Sequence, residues 1–406
     1  MAGFNFTFGQ VVAYLASMLY GQVDATSSST RIQATQDLYD MIAKFSRLSN
    51  IAYCINAPLT PLRVDFSCGE SCRYFPDLEL DSVFGGNFSS ASTTGYIAYD
   101  HKKKEKYIVF RGTFSIPDIV TDIQFQTAPW LTSLPTHLIP TKSDFEHKQA
   151  VMKHYAAENK GLSNLEERQD LVHEDASLIP KKMDKCENCK IHQGFALGFN
   201  ETMEHAGPQI ERFLGNNTDY KMYVIGHSLG AAQAQLFATN FKLLGFDPYM
   251  INFGQPRLGN PEFAAFINQL WFNDTGLVVN DDRRFYRVAH WNDIVVGVPD
   301  WLNYTHSIGE IYIDDESVYP KLDKVVVCEG GENPLCHRGT FNLWARINFL
   351  QNHLAYIYYI GLCAFNIGRR DVLNMPQYHG NFSYQRDVDP NYDYNTKVPT
   401  RIKKTA

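Results

Sequence analysis

The residues best suited to chemistry are Gly226-His227-Ser228-Leu229-Gly230. A G-x-S-x-G run sets a serine on a turn so tight that a Cβ at position 226 or 230 would meet its neighbours. Such a turn strains the serine backbone and lifts its Oγ clear of the sheet edge. It also points the N-terminus of the following helix at the hydroxyl. The first N–H groups of a helix have no helical partner and can serve a developing oxyanion. The competing reading is a glycine-flanked turn with an inert surface serine. A serine hydroxyl is a weak nucleophile at neutral pH, so it needs a base, and the base needs an orienting acid.

In the α/β-hydrolase arrangement the acid and then the base follow the serine in the chain. Asp293 follows an apolar strand-like run, where a loop would set it at the sheet edge. Asp300, beyond Pro299, is the weaker candidate, and Asp247 precedes its strand and so sits at the wrong end. The late histidines are His290, His306, His337, His353 and His379. His290 is too near Asp293 to approach from a separate loop. His353, in an apolar setting at the start of the closing helix, leads as the base; a lone histidine there is otherwise structural.

These residues need a scaffold. Tyr220 to Ile225 is a β-rich run before the turn, and Ala231 to Ala238 is a run of helix formers after it. The periodicity predicts an amphipathic helix from Gln36 towards Cys54 and strands over Gly95–Asp100 and Lys106–Phe110. A helix over roughly Phe199–Phe213 should precede the serine strand. Further strands are expected over Pro248–Gly254, Arg284–His290 and Lys324–Cys328. This alternation implies an α/β fold with a mainly parallel central sheet and helices on both faces. Ser115 is a good N-cap, and Ile116, Ile119, Val120 and Ile123 form one apolar face of the helix it starts. That helix is either core or a lid over an apolar cleft.

The chain has 406 residues, 44% of them hydrophobic, enough for a large core, and its net charge of -7 argues against nucleic-acid binding. An apolar run from Val11 to Tyr20, too short to span a bilayer, precedes Val23-Asp24-Ala25, so residues 1–25 read as a secretory signal peptide. Export is also implied by six sequons after the signal, at Asn87, Asn200, Asn216, Asn273, Asn303 and Asn381. The eight cysteines pair by spacing as Cys68 with Cys72, Cys186 with Cys189 and Cys328 with Cys336, leaving Cys54 and Cys363 as a long-range pair. The rival for Cys186-x-x-Cys189-x-x-His192 is a metal site, disfavoured because a fourth nearby ligand is missing. No metal or cofactor is expected. One domain should cover residues 26–375, with an insertion over about 126–185 and a polar tail over 376–406.

The chain resembles the class 3 lipases, secreted triacylglycerol lipases of fungi and yeasts. The resemblance is carried by Phe110-Arg111-Gly112-Thr113, Ile191 to Phe195 and Gly226 to Ala232. It is also carried by Phe253 to Asn260, Arg287 to Asp293 and Asn352-His353-Leu354. It implies the α/β-hydrolase fold, with Ser228 as nucleophile, Asp293 as acid and His353 as base. It also implies Thr113 and Leu229 as oxyanion-hole residues, a lid over about 114–125, and pairing of Cys54 with Cys363 and Cys68 with Cys72. The implied substrate is an acylglycerol at an oil–water interface, met by a secreted monomer without stable membrane insertion. Phospholipase A1 and feruloyl or carboxyl esterase activities are the alternatives on the same fold.

Overall fold

The structure is a computed structural model, and it describes residues 30–58, 60–69, 71–85, 93–113, 131–133, 186, 188–272, 283–299, 303–340, 349–361 and 363. The expected signal peptide, lid helix, insertion (apart from residues 131–133) and tail lie outside them, as do Asn87, Asn273, Asp300, His379 and Asn381.

The first strand, β1 (Arg31–Gln33), leads into helix α1 (Gln36–Ala52), then β2 (Leu78–Phe84), β3 (Gly95–Asp100) and β4 (Glu105–Phe110). Strands β5 (Leu131–Ser133) and β6 (Lys190–His192) form a small antiparallel pair, and helix α2 (Gln193–Gly215) follows β6 directly. After α2 come β7 (Lys221–His227), α3 (Leu229–Leu243), β8 (Tyr249–Phe253), α4 (Pro261–Phe272) and β9 (Phe285–His290). The chain continues with β10 (Glu310–Ile313), β11 (Val325–Cys328) and the short helix α5 (Phe349–Leu354).

Among the described residues nine strands form one sheet in the order β1-β11-β10-β9-β8-β7-β4-β3-β2. The middle strands β10, β9, β8, β7 and β4 are parallel to one another. The outer pairings, β1 with β11, β11 with β10, β4 with β3 and β3 with β2, are antiparallel. A parallel sheet covered on both faces requires strands that are apolar on both sides. The alternation of side chains along each strand then sorts them. Tyr107, Val109, Tyr223 and Ile225 pack on the α1 side with Phe45, Leu48 and Ile51. Ile108, Phe110, Met222 and Val224 pack on the other side with Phe199 of α2 and Phe237 of α3.

Several elements differ from expectation. Helix α1 stops at Ala52, and Tyr53 and Cys54 lie in the turn beyond it. Helix α2 is longer than Phe199–Phe213 because His192 caps it, its Nδ1 accepting from Gly194 N at 3.1 Å. His353 does not open its helix but sits in its last turn. Strands β1, β2, β5, β6 and β10 and helix α4 have no counterpart among the expected elements. Cys54–Cys363, Cys68–Cys72, Cys186–Cys189 and Cys328–Cys336 are disulfides. Among the described residues no helix is long and apolar enough to cross a membrane.

Candidate active site

Strand β7 lies in the middle of the sheet, between β4 and β8, and delivers Ser228 to the carboxyl edge of the parallel strands. Clefts of open α/β sheets form at that edge. Ser228 has φ 59° and ψ -128°, outside the helical and extended regions. A conformation of this kind costs about 1–3 kcal/mol and persists only where its surroundings impose it. They do so here by exclusion. A Cβ on Gly226 would lie 2.2 Å from Gly230 O, and one on Gly230 would lie 2.4 Å from Phe110 O. Only glycines on both sides let β4, β7 and α3 close on the turn. Ser228 stands at the N-cap position of α3, yet its side chain makes no capping bond. Its Oγ is buried without a hydrogen-bond partner.

The histidine comes from the far end of the described chain. His353 is fully buried, and its Nδ1 lies 2.8 Å and 3.0 Å from the two carboxylate oxygens of Asp293. A carboxylate only accepts, so Nδ1 carries the ring hydrogen, and Nε2 is left with a lone pair and no partner. Asp293 also accepts from Tyr356 Oη and, at 2.9 Å, from Val295 N. Burial opposes its ionisation, but the adjacent His353, together with the donated hydrogen bonds, holds its carboxyl down to about 2. Asp293 follows β9, two strands beyond β7 in the sheet.

The other sequence candidates go elsewhere. His290 meets Trp291 O and Ser317 O, and His306 meets Val296 O. His337 meets the main-chain oxygen of Asp293 rather than its carboxylate. Asp247 pairs with Lys242 and Arg284. Thr113, half-buried, follows Gly112, whose backbone abuts the elbow so closely that a Cβ there would lie 2.8 Å from Ser228 Cβ. Leu229, also half-buried, is the first residue of α3. Ser228, Leu229, Asp293, His353 and the chain leading to Thr113 thus converge. Ile116, Ile119, Val120 and Ile123 lie outside the described residues. Cys186 and Cys189 are bonded to each other, so neither offers a thiolate to a metal.

Sequence reasoning missed the polar supports. Tyr53 Oη accepts from the Gly112 N–H and lies 2.6 Å from His227 Nδ1. His227 Nε2 lies 2.8 Å from His353 O. A carbonyl only accepts, so His227 carries its hydrogen on Nε2 and accepts the hydrogen bond of the Tyr53 hydroxyl on Nδ1. Burial, helped by the neighbouring His353, lowers His227 to about 3 and keeps it neutral. One unbroken chain of hydrogen bonds thus joins the Thr113 loop, the end of α1, the elbow and the main chain of His353. Only His227 carried a local signal, its place inside the glycine motif.

The sequence profile described as Lipase (class 3) matches residues 107–303, which include Ser228 and Asp293. The Lip2 lipase of Yarrowia lipolytica is 33% identical in a structural match covering 83% of this chain and 99% of that one, with a TM-score of 0.66. The chain belongs to the class 3 lipase family. Other members set the range of divergence. A secreted mono- and diacylglycerol lipase 2 of Gibberella zeae is 28% identical over 326 residues, 75% of this chain and 69% of that protein. Lipase A of Sodiomyces alcalophilus is 25% identical over 337 residues, 78% of this chain and 71% of that protein. Within this class 3 lipase the α/β-hydrolase fold is therefore a shared feature, and its serine ester hydrolase chemistry follows from family membership.

Proposed function

We propose that the chain is a secreted, monomeric triacylglycerol lipase that cleaves carboxylic ester bonds of acylglycerols at the lipid–water interface through Ser228, His353 and Asp293. One observation carries the reading. Two buried atoms that would exchange a proton, Ser228 Oγ and His353 Nε2, are both without hydrogen-bond partners, while Nδ1 of the same ring is committed to Asp293. Fixing the tautomer at Nδ1 leaves the Nε2 lone pair available as the base for Ser228. Ser228 Oγ attacks the ester carbonyl as Nε2 takes its proton. The oxyanion is met by the Leu229 N–H at the start of α3 and by Thr113. Collapse expels the alcohol, which takes the proton back from Nε2. Water, deprotonated by the same nitrogen, then releases the fatty acid. Buried Asp293 stays ionised throughout and stabilises the imidazolium.

Secretion is supported by the disulfides and by the similarity to a secreted mono- and diacylglycerol lipase of Gibberella zeae. Asn200 and Asn303 are exposed and Asn216 is half-buried, which suits glycan attachment at these sequons. The apolar face of Ile116, Ile119, Val120 and Ile123 is read as a lid. Burying such a side chain is worth about 1.5–3 kcal/mol, so several together hold a lid shut in water and lose that advantage on oil. The test is the rate on triacylglycerol as its concentration passes the solubility limit, beside a soluble short-chain ester, a phospholipid and a feruloyl ester. A steep rise on droplets is expected, blunted in Ile119→Ser/Ile123→Ser with soluble-ester hydrolysis retained. Preference for phospholipid or feruloyl ester would overturn the substrate assignment, and an undiminished rise in the double variant would overturn the lid.

A further inference from the structure

Asp293 is held through its carboxylate, through its main-chain N–H, which donates to His290 O at 3.1 Å, and through its main-chain carbonyl, and the reaction described so far uses only the first. Its carboxylate meets His353, Tyr356 and Val295. Its main-chain carbonyl accepts a hydrogen bond from His337 Nε2 at 2.7 Å. That carbonyl lies beyond the end of β9, where the chain leaves the sheet through Asn292 at φ 55°. No strand ladder restrains the peptide there. A peptide free to rock about its flanking bonds would swing the carboxylate it carries, and with it the ring of His353.

His337 is itself anchored from several directions. It follows Cys336, whose disulfide to Cys328 ties this turn to β11. Its main-chain N–H donates to Glu310 Oε1 at 3.0 Å. Glu310 is buried on β10, with Arg287 of β9 3.7 Å from its other oxygen. The ring lies against the loop after Asp293, its Cε1 3.9 Å from where a Cβ on Gly297 would stand. Burial lowers His337 to about 4, so the ring is neutral at ordinary pH and has a single hydrogen to give. Because the Asp293 carbonyl only accepts, that hydrogen is on Nε2.

We propose that His337 is a positioning residue of the hydrolytic reaction: its Nε2–H bond to the main-chain carbonyl of Asp293 fixes the acid that orients His353. The proposal rests on the reading of Ser228, His353 and Asp293 as the reacting set. His337 touches no reacting atom. Its effect must pass through Asp293, and that makes it separable from a merely structural histidine.

The experiment measures kcat and KM of the purified full-length protein on a soluble short-chain ester, with thermal melting as the folding control. His337→Ala should lose about 10- to 100-fold in kcat, the scale of a misplacement of about 1 Å, with KM little changed. His337→Gln, whose amide Nε2 can still donate, should recover most of that loss. His337→Asn, whose amide is too short to reach, should not, and it replaces the alanine variant if that one fails to fold. In an Asp293→Asn background the same His337 changes should cost nothing further, because the residue they act through is already disabled. Wild-type kcat in His337→Ala, equal losses in His337→Gln and His337→Asn, or losses that multiply in the Asp293→Asn background would each overturn the proposal. None of these touches the nucleophile assignment. That assignment fails separately, if Ser228→Ala keeps its activity.

Discussion

Gly254 follows β8 with φ +59°, and a Cβ at this position would stand 2.8 Å from His353 Cε1, 2.9 Å from His353 Nδ1 and 2.9 Å from Tyr356 Oη. Non-bonded carbons settle at about 3.5–4.0 Å, so Gly254→Ala demands a retreat of about 0.7–1.2 Å by the ring or by the Gly254 main chain. The ring has nowhere to go at constant geometry. Asp293 holds its Nδ1 at 2.8 Å, and the His227 ring lies alongside with centroids 4.6 Å apart. Any retreat either stretches the bond to Asp293 or displaces Nε2. A misplacement of about 1 Å costs about 100-fold in rate, or about 2.7 kcal/mol of barrier. The left-handed backbone adds a separate penalty of about 1–2 kcal/mol in stability for a residue with a Cβ. The two effects can be parted with Gly330→Ala, since Gly330 also has positive φ, +79°, but nothing within 4 Å of its absent Cβ. The assay is kcat on a soluble ester together with urea unfolding of both variants. Both should lose comparable stability from the backbone, and only Gly254→Ala should lose rate. A folded Gly254→Ala with wild-type kcat would refute the placement of His353 as the base.

The remaining expectations are direct. Ser228→Ala should lose about 10⁶-fold in kcat without unfolding, and Asp293→Asn about 10⁴-fold through the wrong imidazole tautomer, both read on a soluble ester. Activity near wild type in either would remove that residue from the set. His227 predicts acid sensitivity. Its folded value is lowered to about 3 from 6.5, so as pH falls the unfolded chain takes up this proton first. Stability is therefore lost as pH drops from 6.5 towards about 3, by about 1.4 kcal/mol per unit of pH. Urea unfolding from about pH 7 to pH 4 should show a steeper slope in the wild type, where the other buried histidines contribute as well, than in His227→Gln, the difference being this residue's share; parallel slopes would contradict the buried neutral assignment.

The central strands and the elbow were legible because their signals are local. β4 and β7 are buried on both faces, so their sequences are nearly continuous apolar runs, and a G-x-S-x-G between a strand and a helix has few other uses. The edges were not. β1 is three exposed residues, Arg-Ile-Gln, that form a strand only because β11 pairs with them. β2 shifts register between Leu80 and Ser82, which breaks the alternation that would have marked it. β10 begins with Glu310, a carboxylate that reads as surface until Arg287 is found beside it. Helix α4 carries a signal that could have been used, Pro261 at its first position and a buried stripe of Phe263, Ala264, Phe266 and Ile267. In the site, chain order singled out Asp293 and His353. Tyr53, Tyr356 and His337 could not be found that way, because each acts through a partner distant in sequence that only the packed sheet brings near.

The supports of the acid and the base follow one pattern. The side chain of His353 is fixed by Asp293, and its main-chain oxygen by His227 Nε2 at 2.8 Å. The carboxylate of Asp293 is fixed by Tyr356 and Val295, and its main-chain oxygen by His337 Nε2 at 2.7 Å. Each of the two residues is thus restrained at both ends, and at the main-chain end the donor is a neutral histidine. Neutrality matters at His227. A protonated imidazole would still donate from Nε2, but it would also carry a hydrogen on Nδ1. At His227 that nitrogen already receives the Tyr53 hydroxyl, which in turn holds the Gly112 N–H beside Ser228. Protonation there would turn the Tyr53 hydroxyl around and loosen the loop that leads to Thr113, while the base itself stayed in place. Burial, which lowers both histidines far below their ordinary value, is therefore part of how the site keeps its shape.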